Sequence, residues 1–192
     1  MSIPAALSVQ TFPEANLPER IGVPSVLDAA QQEAADELVN GPRGGVYGPF
    51  RPLLHRPPLL RAVAKVGETL RYEGTLDAAL REWGICVVAR ELGNVFEWQM
   101  HRPLAAKAGV PERALAALEA GTSLPRDMPN DLAVARLVIE EMLCRHRITD
   151  ATYEAATTIW DPPALVELLT LTGYFAMVSW LMNVARTPAN TR

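Results

Sequence analysis

The chain is poor in the residues that redox, metal and nucleic-acid chemistry require. Its 192 residues include two cysteines and three histidines. Cys86 and Cys144 stand in neither a CxxC nor a metal-ligand spacing, so they read as reduced packing residues rather than a disulfide framework. The three histidines are equally scattered, and no metal is expected. Basic residues do not outnumber acidic ones, the net charge is −4, and no basic run occurs, which argues against nucleic acid as a partner. There is no glycine-rich dinucleotide fingerprint, no P-loop and no nucleophile elbow, so no cofactor is implied. No window alternates as a half-buried strand does, and no fixed-period repeat appears. The first twenty residues have neither a basic n-region nor an apolar h-region, which makes a cytoplasmic location the expectation.

What is present is helical periodicity. Residues 1–45 are punctuated by Pro4, Pro13, Pro18, Pro24 and Pro42, leaving room for one short helix near 26–39 with Ser25 as its cap. We expect an N-terminal arm over 1–45 and a helical domain over 46–192. In the latter, Leu59, Leu60, Val63, Val66 and Leu70 recur at helical spacing behind Pro58. Thr75 is the expected cap of a helix over 76–91, and Leu92-Gly93 closes it. Further helices are expected over 94–108, from Pro111 to Gly121, from Asn130 or Asp131 to Arg145, over 150–159 behind Thr149, and over 164–186 behind Asp161-Pro162-Pro163. The fold class is all-α, with seven or eight helices. The last helix holds seventeen uncharged residues, Leu168 to Val184, the lower limit for crossing a bilayer at about 17–25 residues. Thr170, Thr172, Ser179 and Asn183 interrupt it, so a helix buried in the core or against another chain, with no membrane partner, is the expectation.

The segment with most chemical content is Asn94-Val95-Phe96-Glu97-Trp98-Gln99-Met100-His101. Residues four apart share a helix face, so Glu97 and His101 can pair, which favours imidazolium and orients the ring for proton transfer. Asn94 with Glu97 three residues later is also a variant of a capping box, and the two roles are compatible. Glu82 lies among apolar residues, where a carboxylate is costly unless paired. On one straight helix Glu82 and Glu97 would stand about 22 Å apart, at 1.5 Å per residue. They meet only if the chain reverses at Leu92-Gly93.

Residues 48–186 resemble the carboxymuconolactone decarboxylase family, which also contains the alkylhydroperoxidase D-like proteins. The resemblance rests on Leu80-Arg81-Glu82-Trp83-Gly84-Ile85, Val88-Ala89-Arg90, Glu97-Trp98-x-x-His101, Ala105-x-x-Ala108-Gly109-Val110 and Ile148 to Tyr153, with Val166-Glu167-Leu168 and Gly173-Tyr174-Phe175 near the end. In peroxidase-type members of that family two cysteines occupy the positions that here hold Asn94 and Glu97, and neither residue can cycle between thiol and disulfide. The resemblance therefore implies the decarboxylase branch: a cofactor-independent carboxy-lyase acting on a small carboxylic acid or lactone, of the kind found in aromatic-compound catabolism. His101 is then the expected proton donor, Glu97 its partner, and Glu82 the group that orients it or shuttles its proton. Asn94, Trp98, Arg81, Arg90 and Arg102 are the candidate substrate-binding residues, a guanidinium fork being suited to a carboxylate. A non-catalytic, ligand-binding scaffold that has lost its redox cysteines is the alternative. The apolar last helix, with Gly173, Ala176 and Ser179 as a strip for close approach, and the resemblance together imply a homo-oligomer, trimer or hexamer before dimer.

Overall fold

The computed structural model describes residues 17–189, and among these there are helices and no strand. The helices are α1 (Ala29–Asn40), α2 (Phe50–Leu53), α3 (Pro57–Glu68), α4 (Ala78–Glu91), α5 (Val95–Lys107), α6 (Glu112–Ala120), α7 (Asn130–Arg145), α8 (Asp150–Thr157) and α9 (Pro162–Ala185). A π-helical turn, Thr69–Glu73, extends α3. Residues 1–16 of the expected arm lie outside the described residues.

Helix α4 is the centre of the bundle. It packs on α5, α7 and α9 at once, and every residue from Glu82 to Arg90 is buried. A helix enclosed on all sides carries no polar stripe, which is why its sequence shows little amphipathic pattern. Trp83 is its largest fully buried side chain, and the indole Nε1–H donates to the Leu132 carbonyl of α7 at 2.8 Å.

The reversal after α4 is made by two residues. Gly93 adopts a left-handed conformation (φ 60°), and the backbone N–H groups of Gly93 and Asn94 return to the carbonyls of Arg90 (3.2 Å) and Ala89 (2.8 Å). This is the glycine-terminated close that satisfies the last carbonyls of a helix. The Asn94 side chain then accepts from the Glu97 N–H at 2.8 Å and opens α5. One residue thus finishes α4 and starts α5, and the two helices run back alongside each other.

Several expected caps are replaced by neighbours. Asp28, not Ser25, caps α1, through a reciprocal box with Gln31. Thr75 does not cap α4: its N–H and hydroxyl both donate to Glu167 of α9 at 2.8 Å, and Asp77 caps α4 instead. Pro129, without a side-chain cap, precedes α7, so neither Asn130 nor Asp131 has the expected role. Thr149 and Asp161 do cap α8 and α9. The short α2 falls where the sequence shows only proline breaks.

The last helix is long and apolar enough to span a membrane, but over half of its most apolar window is buried within the described molecule. Its strip of small residues is not the exposed one. Ala176 and Ser179 face the core, and only Gly173 of the three is exposed. The outward positions are Val166, Thr170, Gly173, Met177, Trp180 and Val184, spaced alternately four and three residues apart, the spacing of a helix-pairing seam. Trp180 is 57% exposed on it. Val166, Met177, Trp180 and Val184 are its large apolar members. Light scattering is expected to give a mass that is a multiple of 21.0 kDa, with Trp180→Glu and Met177→Glu reducing it; a native mass of 21.0 kDa at micromolar concentration overturns this.

Candidate active site

The α4–α5 reversal brings Glu82, Glu97 and His101 together. His101 lies between two carboxylates: its Nδ1 is 2.6 Å from Glu82 Oε2 and its Nε2 is 3.2 Å from Glu97 Oε2. All three side chains are buried, Glu82 at 5%, Glu97 at 4% and His101 at 3% exposure. Phe175 of α9 meets the imidazole edge to face, with centroids 5.4 Å apart. Glu97 therefore does not complete a capping box with Asn94; its carboxylate turns to His101, and capping is left to the Asn94 side chain.

Burial by itself would lower the His101 pKa, but hydrogen bonds and charge from Glu82 and Glu97 outweigh it and raise the value above the ordinary 6.5. For Glu82, burial pushes upward, yet the hydrogen bond and charge of His101 hold the carboxyl below its ordinary 4.5. Both shifts favour the imidazolium–carboxylate form of the pair. The linkage to stability has two signs. The raised pKa of His101 contributes stability that is complete below 6.5 and is lost as pH rises through the folded value. The depressed pKa of Glu82 contributes stability that is complete above 4.5 and is lost as pH falls through the folded value. Calorimetry is therefore expected to show the melting temperature of the native chain converging on that of His101→Gln as pH rises above 6.5. A difference that is constant with pH would show that His101 is neutral in the fold.

A cavity of about 150 Å³ opens beside this group. Glu97 and His101 line it; Glu82 does not, and stands behind the imidazole. Its other walls come from the loop before α2, the π-helical turn and α9, including Arg43, Arg71, Tyr174 and Phe175. The boundary expected between residues 45 and 46 thus falls inside a loop that walls the cavity.

None of the five expected substrate-binding residues lines it. Asn94 is held by α9, its amide donating to Ser179 O (3.2 Å) and Asn183 Oδ1 (2.8 Å). Trp98 is packed in the core on another face of α5. Arg81 sits beside Glu82 at 3.5 Å. Arg90 is buried and donates to the carbonyls of Leu118 and Glu119, closing the end of α6. Arg102 pairs with Glu112 and Glu119. The helical positions were foreseeable, but the direction of each side chain depends on α6 and α9. The two cavity arginines, Arg43 and Arg71, carry no local motif, and only the packing of the loop and the π turn exposes their place.

Neither cysteine offers a thiolate. Burial, then the nearby Glu82, drives the Cys86 thiol well above its ordinary value, and burial also raises exposed-side Cys144. Among the described residues no cluster of three or more His, Cys, Asp or Glu side chains has metal-binding geometry.

Residues 57–140, under half the chain but including all of α4 and α5, match the carboxymuconolactone decarboxylase family. Over nearly the whole length the fold superposes on the alkylhydroperoxidase AhpD core of an uncharacterized peroxidase-related protein from Ralstonia eutropha JMP134, with a TM-score of 0.63, covering 92% of this chain and 95% of that one. The fold is therefore that of the AhpD core. Identity to the Ralstonia protein is 18%, so the superposition speaks for the fold alone. No curated protein matches. Glu82, Glu97 and His101 all lie in the segment matched by the decarboxylase family.

Proposed function

We propose that the protein is a cofactor-independent acid–base enzyme that decarboxylates a small unsaturated acid or lactone. The observation that carries this reading is the buried line Glu82–His101–Glu97, of which only His101 and Glu97 reach the cavity. A decarboxylation next to an unsaturated carbonyl breaks the bond between the carboxylate carbon and its neighbour. The electron pair moves into the conjugated system as a dienolate, and CO₂ leaves. That dienolate must then take a proton at carbon. Both ring nitrogens of His101 already face carboxylates, which shifts the substrate-facing role from His101, the donor expected from the sequence, to Glu97. Glu97 receives the Nε2 proton and delivers it to the carbon, and His101 is recharged from solvent. Glu82 does not touch substrate; it is a positioning residue that fixes the ring and keeps it protonated. The raised His101 pKa favours the protonated imidazole. The absence of an accessible low-pKa thiol at the site favours this chemistry over thiol peroxidation.

The test is CO₂ release from a panel of carboxylated unsaturated lactones and vinylogous keto acids, with no cofactor added, in D₂O. Native protein is expected to release CO₂ and leave one deuterium on the product carbon, and His101→Ala to do neither at a comparable rate. Equal rates in the two proteins overturn the proposal.

A further inference from the structure

We propose that Arg43 and Arg71, with the Tyr174 hydroxyl, form an anion subsite that holds a carboxylate the reaction does not remove. This rests on the decarboxylase reading above for the identity of the reacting end, but the subsite itself rests on its own geometry.

Arg43 comes from the loop between α1 and α2, outside the segment that matches the family. Its side chain is 8% exposed and lines the cavity. One guanidinium nitrogen donates to the Ala64 carbonyl at 2.9 Å, and the guanidinium stacks on Phe50 with 4.3 Å to the ring centroid. The Nε–H, however, is buried with no acceptor within hydrogen-bond distance, since Glu68 Oε1 stands at 3.7 Å. A buried charged donor without an acceptor is costly, and a ligand oxygen would relieve it. Arg71, at the π-helical turn, makes no hydrogen bond or ion pair among the described residues; it lies 5.3 Å over its neighbour Tyr72 and also lines the cavity. Distorted turns of this type occur often at functional sites. Tyr174 completes the end. Its phenol is pushed up to about 12 by burial, so it stays a neutral donor. Gly67 is what lets it and Arg43 sit there: a Cβ on Gly67 would stand 2.2 Å from Tyr174 Oη and 2.9 Å from an Arg43 nitrogen.

The charge facing the cavity is lopsided. Arg43, Arg71 and imidazolium His101 face it against one lining carboxylate, Glu97, while Glu68 pairs loosely with Arg43 and Glu82 stands behind His101. An anionic guest is therefore favoured. Its size is bounded, because a cavity of 150 Å³ is that of a benzene-sized body. Phe96, Phe175 and Val178 give the cavity an apolar stretch of wall. A carboxylate against that wall is poorly solvated, and its loss as neutral CO₂ relieves the cost. A carboxylate at the arginines is stabilised as it stands, so it is the one retained.

The probe for the retained end is 2-furoate, with neutral 2-furamide as its isostere, titrated by calorimetry. Native protein is expected to bind furoate at least tenfold more tightly than furamide. Arg43→Lys keeps the charge but loses the fork, and Arg71→Ala removes a side chain that supports no other contact by hydrogen bond. Each is expected to weaken furoate at least tenfold and to leave furamide within about twofold, with an unchanged melting temperature for Arg71→Ala. Equal affinity of native protein for the two probes, or furoate binding unaltered in both variants, overturns the subsite. Glu97→Gln separates the two proposals. If it and His101→Ala both retain turnover, the acid–base reading fails while the arginine-dependent preference for furoate stands. If it loses turnover and furoate binding ignores the arginines, the subsite alone fails.

Discussion

Glu97→Gln is expected to lower kcat on the true substrate by about 10²–10⁴-fold, the range that positioned proton transfer contributes, while KM changes little. Glutamine preserves the shape of the cavity wall and can still meet His101 Nε2, but it cannot carry a proton from the imidazolium to carbon. Glu82→Gln is expected to behave differently because Glu82 does not reach the cavity. Its loss removes one of the two carboxylates that raise the His101 pKa. The alkaline limb of the pH–rate profile should move to lower pH, with a smaller effect at the optimum. The double variant Glu97→Gln with His101→Ala should be hardly slower than the worse single one, because residues that act on one proton are not additive. Single-turnover and steady-state rates across pH, on variants whose melting curves are checked, distinguish these outcomes. Glu97→Gln with native kcat, alongside an inactive His101→Ala, would return the donor role to His101 itself.

The parts of this site that were legible in the sequence are those built from local chemistry. The i, i+4 relation of Glu97 and His101, the stop at Gly93 and the cap at Asn94 each follow from a few neighbouring residues, and together they bring Glu82 to the imidazole. The all-α class followed from periodicity and punctuation in the same way. What sequence did not disclose depends on contacts across long separations. By its neighbours alone Asn94 suits both a cap and a substrate ligand, but α9 claims its amide through Asn183. Arg90 and Arg102 sit on the same two helices as the site, yet α6 turns both away. Thr75 has every local property of a cap and is drawn off by Glu167, over ninety residues later. Conversely, nothing near Arg43 or Arg71 in the sequence marks them, since one rides on a proline-glycine loop and the other on a π turn. The strip along α9 was misassigned for a related reason: small residues suggest close helix approach, but not whether the partner is the chain's own α4 or another molecule. Gly84 of α4, whose added Cβ would lie 3.2 Å from Leu171, shows where that internal approach occurs.

The largest expected loss of stability is at Trp83. The side chain is completely buried at the centre of α4, one residue from Glu82, and joins α4 to α7 through the Leu132 carbonyl. Trp83→Ala should cost about 3–5 kcal/mol from lost burial and the cavity left behind, and loss of the indole hydrogen bond to Leu132 adds about 0.5–1.5 kcal/mol. Against a total stability of about 5–15 kcal/mol for a domain, that change leaves the fold marginal. Trp83→Phe weights the two contributions differently, because it keeps most of the packing while removing the donor; about 1–3 kcal/mol is expected. Urea unfolding at one fixed protein concentration measures both, the concentration being held because association adds to apparent stability. The midpoint should fall in the order native, Trp83→Phe, Trp83→Ala, with a constant slope. Equal losses in the two variants would mean that the hydrogen bond, and not the filled volume, holds α4 against α7. Retained turnover per folded molecule in Trp83→Phe would place Trp83 in the scaffold that supports Glu82 rather than in the proton path.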